Sequence, residues 1–213
     1  MYDQPAISED LDPVDARAAD RDQRLAPIFE IAKILATEQD LEAMLPRFLS
    51  SLIETLEAAD TGILLLHDPA DGQLTVKGAQ GYDFATLSQI RLALGEAMSG
   101  RALQTGQAEL YPAPEAIKEE RSNLVPANSD LLEAATAGLS PPQSVVCVPL
   151  VSGRTCVGAL VLENRRGGDC FVSVVLAFLV ALADLIAFCI DSDRLREVLQ
   201  VTRAVEVALS VYG

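Results

Sequence analysis

The chain has 213 residues, half of them hydrophobic, and is long enough for one domain with a well-packed core. Its formal net charge is -15, and no cluster of Lys and Arg stands against this acidic balance. Nucleic-acid binding is excluded on that ground, because neutralising phosphates requires clustered cations. The four cysteines, which have no metal-ligand spacing and stand in or beside apolar stretches, are interpreted as buried free thiols: Cys147, Cys156, Cys170 and Cys189. A reducing, cytoplasmic compartment is therefore expected.

The first part of the chain predicts two helices behind an acidic lead-in. Residues 1–24 contain no apolar run, which predicts a disordered or frayed segment rather than a signal peptide or an anchor. From residue 25 apolar side chains recur at three- and four-residue steps, as in a helix. Polar residues 37–40 interrupt this pattern and suit the cap of a second helix, 41–56, in which Pro46 predicts a kink.

Strand signals follow. The stretches "GILLLHD" and "QLTVKGAQG" around the turn "PADG" predict a β-hairpin, and "LSQIRLAL" predicts a third strand that ends at Gly95. "GEAMSGRALQTGQ" predicts a short helix that Gly106 can stop, and "AELYP" predicts a fourth strand. Residues 112–143 are the least regular part, with one amphipathic piece at 130–137. So long a connection in a compact domain is usually functional or mobile.

The stretch "QSVVCVPLVSGRTCVGALVLENRRGG" predicts a second hairpin around Ser152 and Gly153. With that turn Cys156 would lie opposite Pro149 and only diagonal to Cys147, about 7–8 Å away and beyond disulfide geometry. Alternation assigns Val157, Ala159 and Val161 to one face of the second strand, and Cys156, Leu160 and Leu162 to the other. Since both faces are apolar, both must be covered. The pattern predicts a central antiparallel sheet between two layers.

Four segments in order resemble the GAF domain over roughly residues 25–195. They are "LEAMLPRFLSSLIETLEAADTGILLLHDPADGQLTVKGAQGY", "LGEAMSGRALQTGQAELYP", "SVVCVPLVSGRTCVGALVLEN" and "DLIAFCIDSDRL". The resemblance implies an α+β fold in which a six-stranded antiparallel sheet lies between terminal helices and a layer of loops and short helices. It also implies a ligand pocket under that second layer and, in many members, a dimeric sensory module of a kinase, cyclase or transcription regulator.

The chemistry known in this family has little support in the residues. Bilin attachment would need a Cys next to a His, and the one histidine, His67, has no adjoining cysteine. His67 reads as a partly exposed turn residue rather than a haem ligand. The Asn-Lys…Phe…Asp-Glu signature of cyclic-nucleotide sites is not found, although a cyclic nucleotide stays open. Redox catalysis of the methionine sulfoxide reductase type is a weak alternative, because the loop 112–143 contains no cysteine. No catalytic residue, metal ligand or specific cofactor is therefore assigned.

If a pocket exists, its walls should come from residues 82–143 and the sheet face beneath them. The candidate ligand-binding residues there are Tyr82, Phe84, Met98, Arg101, Tyr111 and Asn128. For each of them a structural role is at least as plausible as ligand contact. Arg101 is the one cation near the predicted short helix, so an anionic ligand is conceivable, and an apolar or weakly polar ligand is equally open.

Residues 171–190 form an apolar stretch whose single charge is Asp184. Its length would allow a membrane span, but the sheet needs a helix on its outer face, and this stretch occupies the closing-helix position of the GAF pattern. Because the helix is apolar nearly all round, the apolar face that is turned away from the sheet predicts contact with a partner subunit. Residues 191–213 continue a seam at three- and four-residue steps. The predicted dimer interface comprises Leu185, Phe188, Leu195, Val198, Thr202, Val205 and Leu209.

The predicted organisation is therefore an acidic lead-in at 1–24, a GAF-like sensory domain at 25–190 and a dimeric output helix at 191–213. The predicted function is binding of a small molecule and relay of the signal through that helix to an effector module, without enzymatic activity. A ligand-free dimerisation scaffold is the alternative, since some GAF domains have collapsed pockets. Neither nucleic acid nor a membrane is an expected partner.

Overall fold

In the computed structural model the chain is described for residues 31, 33–35, 37, 40–167 and 171–212, and for side chains there except those of 174, 197, 198 and 201–212. Within these ranges, strands β1 to β6 span Thr61–His67, Leu74–Gln80, Arg91–Leu92, Glu109–Tyr111, Ser144–Ser152 and Thr155–Asn164. Helices α1 to α6 span Leu41–Thr55, Phe84–Leu87, Ala97–Thr105, Pro114–Glu120, Pro126–Ala135 and Ser173–Tyr212, and a 3-10 helix spans Arg121–Asn123. The predicted lead-in, 1–24, lies outside the described residues.

The strands form one sheet in the order β3-β2-β1-β6-β5-β4, and every neighbouring pair is antiparallel. Its centre is the pair of β1 and β6, one strand from each of the two predicted hairpins. Each brings a hairpin partner to one side, which extends the sheet in both directions. The predicted α+β fold with a six-stranded antiparallel sheet is confirmed.

One face of the sheet is covered by α1 and α6. Asp40 caps α1 by accepting a hydrogen bond from the Glu42 N–H at 2.9 Å, as the polar interruption in the sequence predicts. The buried face of α1 includes Phe48, Leu49 and Leu52, all fully buried. These side chains pack with α6 into the first hydrophobic core. The predicted second helix is therefore confirmed, with its end at Thr55.

The opposite face is covered by α2 to α5, which enclose a second hydrophobic core. The predicted short helix and fourth strand are confirmed as α3, which Gly106 ends in a left-handed conformation, and β4. The third strand predicted at 87–94 is wrong in its bounds: Asp83 accepts hydrogen bonds from the Ala85 N–H and the Thr86 hydroxyl, which starts a helical turn. Only Arg91–Leu92 pairs with β2.

The connection 112–143 is more regular than its composition suggests. It contains α4, the 3-10 helix and α5, and the two α-helices each begin at a proline, Pro114 and Pro126. Proline at the first helical position carries no N–H that needs a partner, so it starts a helix as readily as it breaks one. The amphipathic piece predicted at 130–137 is the second half of α5 and the turn after it.

The hairpin of β5 and β6 turns at Gly153 and Arg154, one residue later than predicted. Cys156 consequently pairs with Val151 rather than with Pro149, and Cys147 pairs with Val161. An irregularity between Leu150 and Val151 also breaks the alternation. Val157 therefore lies on the α1 and α6 face, together with Leu160 and Leu162, and not with Ala159 and Val161.

Helix α6 runs without a break through the predicted boundary at 190. Its buried face includes Leu179, Ile186 and Ile190 at 0% exposure, packed with the first core. Beyond residue 190 it still contacts the sheet, because Ser152 Oγ donates to Asp191 at 3.0 Å and Arg194 donates to the His67 carbonyl at 2.5 Å. By length and composition alone, the segment Val175–Arg196 of α6 could cross a membrane. A third of its most apolar stretch is buried inside the protein.

Candidate functional site

A small cavity lies between the sheet and its cover of short helices. Its volume is about 50 Å³. The sheet contributes β1, β2, β3 and β6, and the cover contributes α2, the first turn of α3, the 3-10 helix and α5. The lining is apolar except for three residues, and comprises Ile63, Leu65, Val76, Leu87, Ile90, Leu92, Ala97, Met98, Ser99, Arg121, Leu124, Leu132, Val161 and Glu163. Among these, Arg121 and Glu163 alone carry charge.

Glu163 stands on the wall of the cavity in full burial, with 0% of its side chain exposed. Strand alternation puts it there, because Ala159 and Val161 of β6 point into the same core. Its Oε1 accepts a short hydrogen bond from Arg121 of the 3-10 helix, and its Oε2 accepts one from Arg165 at 2.5 Å. A buried carboxylate thus joins one cation of the cover to one at the end of the sheet.

Tyr82 and Thr61 complete this network behind the carboxylate. The Thr61 hydroxyl lies 3.0 Å from the Tyr82 hydroxyl and 3.4 Å from Glu163 Oε2. The Arg165 guanidinium carbon lies 5.6 Å from the centre of the Tyr82 ring, within cation–π range. Burial and the nearby charge of Glu163 raise the pKa of the Tyr82 hydroxyl. Tyr82 is therefore a neutral hydrogen-bonding partner at physiological pH.

Three of the six candidate ligand-binding residues lie in or beside the second core. Met98 is 4% exposed and lines the cavity. Tyr82 packs against this core and joins the Glu163 network. Tyr111 is buried in the same core, and its hydroxyl donates to Glu109, with burial as the main cause that raises its pKa. Of the three, the cavity lining includes Met98.

Two further candidates lie at the surface. Arg101 is exposed and forms ion pairs with Glu109 at 3.2 Å and Glu120 at 3.0 Å. These two carboxylates oppose the binding of an anion at Arg101. Phe84 is 46% exposed and borders an open groove of about 1360 Å³ between α1, the β1–β2 hairpin and the C-terminal half of α6. The structure thus brings neither side chain to the cavity.

Asn128 is buried, and its hydrogen bonds join the cover to the edge strand β3 and to Glu96. Its side-chain amide donates to the Arg91 carbonyl and to Glu96 Oε1, each at 2.8 Å. Glu96 also accepts from the N–H groups of Ala93 and Val125, at 2.9 Å each. Burial alone would raise the pKa of Glu96, but these backbone and side-chain hydrogen bonds together lower it. Asn128 and Glu96 thereby join α5 to the loop that precedes α3.

Sequence reasoning missed Arg121, Glu163 and Arg165. The signal for Glu163 is present, since one carboxylate ends a ten-residue apolar strand and alternation places it on the cavity side. Its two partners lie 42 and two residues away along the chain. No spacing rule connects Arg121 with Glu163, so this pair becomes visible only in the fold.

The described thiols are poorly suited to nucleophilic chemistry. Cys147 is fully buried, and its sulfur lies 3.5 Å from the Met98 carbonyl oxygen. Burial raises the pKa of the Cys147 thiol, and it also raises that of Cys156. Since the thiolate is the reactive form, raised pKa values disfavour a catalytic nucleophile. Cys170 lies outside the described residues.

Comparison with solved structures identifies the fold. The GAF domain of a phosphoenolpyruvate-protein phosphotransferase from Acinetobacter aligns with a TM-score of 0.67 at 19% identity, covering 81% of this chain and 95% of that one. The corresponding GAF domain from Coxiella burnetii has a TM-score of 0.66 at 21% identity, covering 82% and 96%. A free methionine-R-sulfoxide reductase from Neisseria meningitidis has a TM-score of 0.62 at 19% identity, covering 92% and 99%. The fold is thus shared by GAF domains and by a methionine sulfoxide reductase.

Two curated relatives are regulators. The Nif-specific regulatory proteins of Azospirillum lipoferum and Azospirillum brasilense are each 28% identical to this chain over 166 residues. The alignment covers 76% of this chain and 25% of each relative, so the chain spans about a quarter of their length. The similarity favours a regulatory role. The family model described as "GAF domain" matches residues 38–191, most of the chain, and the protein therefore belongs to the GAF domain family.

Proposed function

We propose that this chain is a sensory GAF domain that binds a small molecule in the cavity between the sheet and residues 82–143. The observation that supports this most is the buried charged group of Arg121, Glu163 and Arg165, of which Arg121 and Glu163 line the cavity and Arg165 pairs with Glu163. Burying ions is costly, and well-packed apolar residues would serve stability equally well or better. Ligand sites, in contrast, are mostly apolar cavities with a few placed polar groups that orient the ligand.

The size of the cavity sets a condition on this proposal. A volume of about 50 Å³ accommodates a few atoms, so a metabolite requires the cover or the Arg121 side chain to move. Arg121 belongs to the 3-10 helix between α4 and α5, and its side chain is 22% exposed. Ligand entry at this point would alter contacts between the cover and the end of β6.

Native mass spectrometry of the protein as purified, supported by ligand extraction, tests the proposal. We expect a retained or added small molecule on the wild-type chain and its loss in Val161→Phe, which fills the cavity from the sheet side. The control is Val172→Phe, because Val172 is half exposed and distant from the cavity lining. Absence of any bound molecule, with no thermal shift across a metabolite panel, would refute ligand sensing.

The alternative is a ligand-free dimerisation scaffold, and the small cavity together with one face of α6 favours it. Leu185, Phe188, Leu195 and Leu199 are 42–67% exposed and follow one another at steps of three, seven and four residues. This spacing places them on one helical stripe. The other predicted interface residues, Val198, Thr202, Val205 and Leu209, have side chains outside the described part of the chain. A homodimer is compatible with both the ligand sensor and the scaffold, and it stays a proposal.

Solution mass tests the dimer. We expect a dimer for the full chain and a monomer after deletion of residues 192–213 or in the double variant Phe188→Lys and Leu195→Lys. Gln200→Lys is the control, because residue 200 is exposed and about 100° from residue 199 around the helix. An unchanged dimer in the double variant would show that this stripe is not the interface.

The similarity to regulators of which the alignment covers 25% suggests an effector module elsewhere in such a protein, for example a kinase, cyclase or transcription regulator. We expect the domain to act in the cytoplasm and to be a receiver of ligands rather than an enzyme. Sulfoxide reductase chemistry is disfavoured by the buried Cys147 thiol and its raised pKa. Measuring methionine sulfoxide reduction with a thiol reductant checks this, and turnover abolished by Cys147→Ser would contradict it.

A further inference from the structure

The charged group of Arg121, Glu163 and Arg165, of which Arg121 and Glu163 line the cavity, carries an excess positive charge. Glu163 is fully buried and contributes one negative charge, while Arg121 and Arg165 contribute two positive charges. The nearby carboxylate of Asp60 accepts a hydrogen bond from the Arg165 backbone N–H, and its charge is paired with the Arg166 guanidinium rather than with that of Arg165. Uncompensated charge in a poorly solvated site is unfavourable, so the site favours one more anionic group.

The two arginines differ in their attachment. Arg165 is 6% exposed and donates to the Ser140 carbonyl and the Thr61 hydroxyl as well as to Glu163, so it is fixed at the end of the sheet. Arg121 is 22% exposed, and its guanidinium donates to Glu163. Of the two, Arg121 can therefore change partners while Glu163 keeps Arg165.

We propose that the cavity selects a small carboxylate with an apolar body, and that Arg121 is the residue that selects it. This inference rests on the proposed ligand-binding function. The carboxylate of the ligand would accept the hydrogen bonds of Arg121 in place of Glu163, and the planar guanidinium matches a carboxylate in two-pronged geometry. Two cations would then face two anions, and the charge of the group would be balanced.

The rest of the lining suits a hydrocarbon body. The sheet side of the lining is built from branched aliphatic side chains of β1, β2 and β6, including Ile63, Leu65 and Val161. A second charge at the far end of the ligand would enter this apolar lining without a partner. Arg101, the cation that the sequence suggests, is held by two carboxylates and does not line the cavity.

The probes are sodium butanoate, 1-butanol and butylammonium chloride at equal ionic strength, which share the alkyl chain and differ in the head group. Binding to the full chain is measured by NMR titration or calorimetry. We expect butanoate to bind at least about tenfold more tightly than butanol, as a charge-assisted hydrogen bond provides, and butylammonium to bind most weakly.

Three variants separate selection by Arg121 from a structural role. Arg121→Gln should lose the preference for butanoate over butanol, Arg121→Lys should keep part of it, and the matched control Arg101→Gln should leave it unchanged. Glu163→Gln removes the competing carboxylate and should strengthen butanoate binding, even though it leaves two buried cations. A merely structural contact would give losses in both Arg121→Gln and Glu163→Gln rather than opposite changes.

The outcomes distinguish this inference from the proposed function. Equal binding of butanoate and butanol at the cavity would overturn selection by Arg121 and leave ligand binding in place. Butanoate binding that is unaffected in Arg121→Gln would also overturn it. No binding of any probe, with no ligand found by native mass spectrometry, would overturn both. Folding of each variant is checked by its circular dichroism spectrum and its melting temperature.

Discussion

Strand β6 passes close to the backbone of β1 at Gly158, and this makes a sharp prediction. Gly158 in β6 pairs with Leu66 of β1 and Leu150 of β5. A Cβ added there would lie 2.2 Å from the Leu65 carbonyl oxygen and 3.1 Å from the side chains of Leu66 and Leu150. Since the nearest obstacle is backbone, relief requires β6 and β1 to move apart at the centre of the sheet. Gly158→Ala should therefore destabilise the fold.

Gly78 offers a matched control in the same sheet. It lies in β2, pairs with Leu64 on the other side of β1, and a Cβ there would meet its nearest atom at 3.7 Å, an ordinary contact. Overpacking of a core typically costs about 1–3 kcal/mol, and the loss of glycine freedom in the unfolded chain returns about 0.4–1 kcal/mol. Because the obstacle at Gly158 is rigid, we expect a net loss of about 2 kcal/mol for Gly158→Ala. For Gly78→Ala we expect no loss.

Urea denaturation measures both variants against the wild type. The midpoint should fall for Gly158→Ala at an unchanged slope, and its melting temperature should drop by about 4–8 °C, as about 2 kcal/mol implies for a chain of this size. Gly78→Ala should match the wild type or exceed it slightly. Equal midpoints for the two variants would refute the close approach of β6 and β1 on which the reasoning rests.

Three further predictions concern single buried groups. In the folded protein Cys147 should resist alkylation by iodoacetamide at pH 8 and react after denaturation, because burial raises the pKa of its thiol. Mass spectrometry of the labelled peptides checks this, and rapid labelling of the folded protein would contradict it. Glu96→Gln should lower the free energy of unfolding at pH 7 but not at a pH below the folded-state pKa of Glu96. The pKa of this carboxyl is lower in the folded protein than in the unfolded chain, where it is about 4.3, so its ionised form stabilises the fold above that pH. The stabilisation is lost as the pH falls through the folded-state pKa. A pH series of urea midpoints tests it, and a difference that persists at low pH would argue against the ionised form. Ser144→Ala should be neutral or stabilising by up to about 1 kcal/mol, because the buried Ser144 hydroxyl lacks a hydrogen-bond partner among the described residues; a loss above about 1 kcal/mol would reveal a partner.

The candidate site was only partly predictable from the sequence. The sequence predicts a pocket under residues 82–143, and Met98 lines the cavity that lies there. Arg101 was singled out as the nearby cation, yet the fold pairs it with Glu109 and Glu120 at the surface and puts Arg121 on the cavity wall instead. Which arginine lines the cavity depends on the face of α3 or of the 3-10 helix that carries it. Whether any of these residues binds a ligand stays a prediction.

The amino-acid sequence by itself determined the architecture of this protein. The strands at 145–162 have apolar side chains on both faces, which required a sheet covered on two sides. The helical patterns at 41–56 and 171–190 predicted the helices that cover one of them. Local rules failed where the Asp83 side chain caps a helical turn and where the strand register shifts between Leu150 and Val151. Only the tertiary structure decided the charge of the cavity, because Arg121 and Glu163 meet across 42 residues through the packing of the cover on the sheet. Such long-range pairing leaves no periodicity in the chain, and that is why no local pattern could reveal it.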